Sequence, residues 1–174
     1  ICSQASHLLS LINGILEITK IESGKAVLQT EFFSLHEFLS DCQSDYTAPM
    51  EKPVVLEWDY PIDLPVIFSD RVRLKQIVTN LVNNAIKFTD EGEVRISARI
   101  RDEDDRFELR VADTGPGIPN DRLERIFEKF HQVDSATTRN FSGAGLGLYI
   151  VKTFVDLLAG TIDVNSTLGG GSVF

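Results

Sequence analysis

An α+β fold, a two-layer α/β sandwich preceded by one amphipathic helix, is what this sequence predicts, and three observations carry the reading. Strand-like and helix-like runs succeed one another without the regular β-α-β alternation of a doubly wound sheet. Residues 70–88 place apolar side chains at helical intervals, whereas 93–101 and 106–112 alternate apolar with polar residues as half-buried strands do. With 174 residues, 43% of them hydrophobic, the chain can fill the core of one domain of ordinary size and carry an appendage.

Each element has its own warrant. Residues 3–25 (SQASHLLSLINGILEITKIESGK) set Leu8, Ile12, Ile15 and Thr19 at heptad-like intervals, widened by Leu11, Leu16 and Ile18, and read as an amphipathic helix ending near Gly24. Gly14 inside it costs about 1 kcal/mol of helix propensity relative to alanine. Strands are predicted at 27–33, 54–59 and 66–68, with a helix at 34–49 whose Leu35, Phe38, Leu39 and Cys42 share a face. Asp70 is placed to cap the 70–88 helix, on which Val72, Leu74, Ile77, Val78, Leu81, Val82, Ala85 and Ile86 mark the apolar side. The DEDD sequence at 102–105 turns the hairpin. A short helix at 121–127, a helix at 145–159 and strands near 161–165 and 172–174 complete the order.

Three motifs interrupt this apolar logic. In NLVNNAIKF (80–88), Asn80, Asn84 and Lys87 lie four and three residues apart and so share one helical stripe. Amide oxygens can ligate a hard divalent cation and a lysine can neutralise phosphate; a solvated helix face is the plain alternative. DTGPGI (113–118) follows the strand-like FELRVA (107–112), leaving Asp113 where a strand leaves the sheet. A carboxylate there can accept a hydrogen bond from an exocyclic amine, with Gly115 and Gly117 clearing space, although Asp-Thr-Gly-Pro-Gly is also ordinary turn chemistry. In GAGLGL (143–148), Gly143, Gly145 and Gly147 precede a helical run, and the N-terminus of a helix attracts phosphate. The same spacing occurs in dinucleotide-binding folds and in plain loops. A dinucleotide fingerprint requires a strand immediately before the glycines, whereas the preceding 131–142 is polar and reads as a loop.

Taken together with FEKF (127–130), these motifs resemble, in content and order, the ATP-binding catalytic domain of sensor histidine kinases, within the Bergerat-fold (GHKL) ATPase superfamily. In that family they correspond to the N box, the first glycine box, the F box and the second glycine box, and GGGSVF (169–174) resembles the entry of the final strand. The resemblance implies ATP and Mg2+ as cofactors. It implies that Asn84 holds the metal with help from Asn80, and that Lys87 approaches the phosphates. Asn80 and Lys87 would thus serve the reaction directly. Asp113 would read adenine beside Gly115 and Gly117. Gly143, Gly145, Leu146 and Gly147 would flank the triphosphate at the hinge of a lid running from Asn120 to Ser142, with Phe127 and Phe130 at one side and Arg139 within reach of phosphate.

The resemblance also discriminates within the superfamily. Its hydrolysing members carry a glutamate four residues before the metal asparagine to activate water, and that position here is Asn80. The expected reaction is therefore phosphoryl transfer to a histidine, for relay to an aspartate on a response-regulator receiver domain. A nucleotide-gated interaction module without turnover is the alternative. Residues 1–24 resemble the second helix of the family's dimerisation and phosphotransfer domain, leaving 25–174 as the catalytic domain. The implied partners are the phosphotransfer helix of the same chain or of its dimer partner, and the receiver domain.

His7 does not supply the acceptor, because an acid, a basic residue and a proline should follow and Leu8, Leu9 and Ser10 do. His36 and His131 have no partner at metal-ligand spacing. The acceptor is expected on a preceding helix, and the sequence, starting at Ile1 and stopping inside a predicted strand at Phe174, reads as part of a longer protein that would be inactive without it. A net charge of −9 argues against nucleic acid and requires the nucleotide site to be a local positive or neutral island. Cys2 and Cys42 show neither CxxC nor metal spacing, which predicts reduced thiols and a cytoplasmic setting. No apolar run approaches the roughly 20 residues that span a bilayer, so any membrane anchor would lie elsewhere in the parent protein.

Overall fold

The computed structural model describes residues 27–46, 52–101, 106–131 and 145–174, together with Thr19 and Ser23. Most of the predicted N-terminal helix and the 102–105 turn lie outside the described residues. Ser23 N–H donates to Thr19 O at 3.1 Å, which is one helical turn.

Among the described residues the elements are β1 (Glu31–Ser34), α1 (Leu35–Ser44), β2 (Val54–Asp59), β3 (Val66–Ser69), α2 (Arg71–Phe88), β4 (Gly92–Arg101), β5 (Arg106–Asp113), a 3-10 turn (Asn120–Arg122), α3 (Gly147–Leu157), β6 (Asn165–Thr167) and β7 (Gly171–Val173). A five-stranded sheet runs in the order β2-β4-β5-β7-β6, and β1 pairs with β3 in a separate ribbon. The pair β2–β4 is parallel, with Leu56 opposite Val94, and the remaining pairs are antiparallel. A parallel pair needs a long crossover, and α2 lies within it.

Alternation along β4 sends Val94, Ile96 and Ala98 into the core. Its opposite face carries charge: Arg95 pairs with Glu57 and Glu93, and Glu108 accepts from Arg99 and Arg110. Phe38, Leu39, Val78, Val82, Val151 and Phe154 line the helices against the inner face, so the fold is the predicted two-layer sandwich. Burying each such side chain stabilises by about 1.5–3 kcal/mol.

The ends of α2 fix its register. Asp70, almost wholly buried, accepts from Arg73 N at 3.0 Å through one oxygen and from Gln29 N at 2.9 Å through the other. That second bond explains why the predicted strand at 27–33 narrows to β1, since the backbone at Gln29 is already committed to the α2 cap. Helix α1, capped by Ser34, stops at Ser44 rather than 49. Val72, expected on the apolar face of α2, is 60% exposed because it sits in the first turn, beyond the edge of the core.

Further along, the expected helix at 121–127 is a 3-10 turn followed by turns. Its bonds run from Arg122 N to Pro119 O, Leu123 N to Asn120 O and Arg125 N to Arg122 O, a tighter winding than an α-helix. That winding buries Ile126. Helix α3 is shorter than 145–159 at both ends, and the strand expected near 161–165 begins at Asn165. No helix among the described residues is long and apolar enough to cross a membrane.

Candidate functional site

The stripe predicted on α2 faces the start of α3. Asn80 Nδ2 donates to Gln76 O at 2.8 Å. Its Oδ1 lies 3.2 Å from the point where a Cβ on Gly147 would stand, and Asn84 Nδ2 and Oδ1 lie 3.6 and 3.9 Å from that point. Two amide groups from one helix thus converge on the first residue of another, in an opening that exists because position 147 has no side chain. Helix α3 begins after Leu146, which is buried and supplies no side-chain cap, and the first amides of a helix point toward any anion at its N-terminus.

Lys87 closes the stripe. Its ammonium stands 5.0 Å from the centroid of the Phe88 ring, and burial holds its pKa below the usual lysine value. The charge costs more here than on the surface, and an anion beside it would offset that cost.

Asp113 ends β5 half-buried. Its Oδ1 accepts from Gly115 N at 2.9 Å. Burial pushes its carboxyl above the ordinary aspartate value, while hydrogen bonds from the Gly115 and Ser172 amides oppose that shift. A Cβ on Gly115 would lie 2.9 Å from that same oxygen and 3.0 Å from Phe88 O, which ties this turn to the end of α2. Gly117 has φ +71, and a Cβ there would come within 2.0 Å of Thr167 O. Behind the turn, Ser166 Oγ accepts from Ile118 N at 2.7 Å, donates to Gly171 O at 2.9 Å and lies 3.0 Å from Ser172 Oγ. Sequence reasoning missed Ser166 and Ser172, because nothing local marks a serine in a short strand as support for a loop distant in sequence.

FEKF divides between two roles. Phe127 meets Phe174 edge to face at 6.5 Å and anchors the segment to the sheet. Phe130 does not anchor in that way: it is 64% exposed with φ 60, and its N–H donates to Gly145 O at 3.1 Å. Gly145 has φ +66, and a Cβ on it would meet His131 O at 2.9 Å. Residues 130 and 145 are therefore joined backbone to backbone. Arg139 and Gly143 lie outside the described residues.

Comparison with known proteins shows the family and the fold. Residues 69–174 match the family model described as histidine kinase-, DNA gyrase B-, and HSP90-like ATPase. The chain is 41% identical to the autoinducer 2 sensor kinase/phosphatase LuxQ of Vibrio harveyi, over all of this chain and 21% of that protein. It is 40% identical to the circadian input-output histidine kinase CikA of Synechococcus elongatus, over 97% of this chain and 22% of that protein. The chain thus spans about a fifth of the length of these curated relatives. Among solved structures, full-length ShkA in complex with AMPPNP superposes with a TM-score of 0.85 at 35% identity, covering 99% of this chain and 35% of that one. The nucleotide-free catalytic domain of histidine kinase ThkA gives 0.71 at 25% identity, over 84% and 93%.

Proposed function

Since the chain belongs to the histidine kinase-, DNA gyrase B- and HSP90-like ATPase family, we propose that residues 25–174 bind ATP with Mg2+ and deliver its γ-phosphate to a histidine on a phosphotransfer helix. The observation that carries this reading is the convergence of Asn80 and Asn84 on Gly147 at the uncapped start of α3. The protein's share of the coordination would come from the amide oxygens of that stripe. The ion would neutralise phosphate charge.

The residues divide the work. Asn84, with Asn80, would hold the metal, and Lys87 would face the phosphates. The α3 amides at Leu146 and Gly147, with Gly143 and Gly145, would receive the triphosphate, and Arg139 would reach it from the lid. Asp113 would accept from the exocyclic amine of adenine in the space that Gly115 and Gly117 keep clear, with Phe127 and Phe130 framing the lid. Phosphoryl transfer relies on positioning and charge neutralisation. Asn80, an amide, offers water no general base, which favours transfer over hydrolysis.

Residues 1–24 would be the second helix of a dimerisation and phosphotransfer domain. In the cytoplasm, the product would pass its phosphate to a receiver domain. Incubation of this chain with ATP and a histidine-bearing two-helix phosphotransfer domain supplied in trans should yield acid-labile phosphate on that domain. Steady ATP consumption without phosphohistidine would overturn the transferase reading.

A further inference from the structure

We infer that Lys52, which lies outside every glycine and asparagine motif, is a positioning residue for the nucleotide site; the inference rests on the nucleotide reading above. The last carbonyls of any helix have no partner within it, and the fate of those in α2 is specific. Ala85 O accepts from Thr89 N at 3.0 Å and from Thr89 Oγ1 at 2.8 Å. Ile86 O and Lys87 O accept from Lys52 Nζ at 3.5 and 2.8 Å, and the same ammonium donates to Thr89 O at 3.1 Å and to Asp90 Oδ1 at 3.0 Å. Phe88 O is turned the other way, toward Gly115.

The turn that ends α2 is thus held between two parts of the chain. On one side stands an ammonium that donates to three of its carbonyls and to Asp90 Oδ1, placed where a cation also complements the helix dipole. On the other stands the turn that presents Asp113. The neighbouring Pro53 O accepts from Gly92 N at 3.2 Å, so the start of β2 grips the α2–β4 connection at a second point. Lys87 belongs to that turn, and Gly115 packs on it. Withdrawing the ammonium would leave the carbonyls of Ile86, Lys87 and Thr89 short of a donor and allow the turn to shift. Both the phosphate-facing lysine and the adenine-facing aspartate would move with it.

The test is calorimetric titration of the full chain with AMPPNP and magnesium, for the wild type and for Lys52→Met, Lys52→Gln and Lys52→Arg, each first shown by thermal melting to be folded at the titration temperature. A shift of the turn should weaken binding by about tenfold or more in the Met and Gln variants, since misplacement of under an ångström is felt strongly in such sites. Arginine, which restores a cationic donor, should recover much of the loss. A role confined to stability would lower the melting temperature and leave affinity alone. Folded Met or Gln variants that bind within about twofold of wild type would overturn the inference, as would an Arg variant as weak as Met. Absence of wild-type binding would instead overturn the nucleotide reading itself, and the inference with it.

Discussion

Gly147 sets how closely α3 can approach the asparagine stripe. Alanine there would bring a Cβ to 3.2 Å from Asn80 Oδ1, so that amide must give by a few tenths of an ångström, and into ordinary contact with Asn84 Nδ2 at 3.6 Å, filling the space between the stripe and α3. Gly147→Ala is expected to leave the fold intact, because alanine favours a helix by about 1 kcal/mol over glycine, while magnesium-nucleotide affinity falls by about tenfold or more. Thermal melting and titration read the two effects separately, and unchanged affinity would show that the stripe is not the metal site. Asp113 makes the converse case. Burial raises its folded pKa, so its contribution to stability is full below the unfolded value of about 3.9 and is lost as pH rises through the folded value. Asp113→Asn should therefore be at least as stable as wild type at pH 7, should lack that part of the pH slope, and should lose adenine recognition. Denaturation across pH, wild type against variant, checks the sign; a variant clearly less stable at pH 7 would contradict it. At this scale the sequence was readable wherever a residue type was out of place, as with amides inside a helix or paired glycines after a strand. Lys52 and Ser166 gave no such signal, because their partners come from other parts of the chain.

Elements follow the same division. β2, α2 and the β4–β5 hairpin were legible because one period governs each, with Asp70 marking the start of α2 and the DEDD sequence at 102–105 dividing the hairpin. Segment 121–127 misled because its apolar spacing is helical while its bonds are made three residues apart. Pulling Ile126 into the core and Phe127 onto Phe174 evidently outweighs regular winding. Helix α2 carries most of the proposed site, and Asp70 fixes its start. Removing both carboxylate contacts by Asp70→Ala should cost about 2–3 kcal/mol, combining the loss of an N-cap with an unsatisfied amide at Gln29. Urea denaturation measures it, and a loss under about 1 kcal/mol would mean that the Gln29 contact contributes nothing beyond an ordinary cap.

As a whole, the molecule separates charge from function. Its net charge of −9 is spread over a surface where arginines and glutamates pair across the outer face of the sheet. Lys87 and the uncapped α3 amides supply positive character on the helical side. The two-layer architecture was legible from element order, and family membership is secured by the match over residues 69–174. The strands of the β1–β3 ribbon, which holds Asp70 and the start of α2 in place, were anticipated at 27–33 and 66–68, but their pairing apart from the main sheet was not legible, since such short strands carry no signal of their partner. The central claim is that Asn84 and its neighbours form a magnesium-dependent nucleotide site. Calorimetric titration of the chain with AMPPNP, with and without magnesium, beside Asn84→Asp, tests it most directly. Magnesium-dependent binding by the wild type and its loss in the folded variant is the predicted result; binding that ignores magnesium, or that Asn84→Asp leaves unchanged, would contradict it.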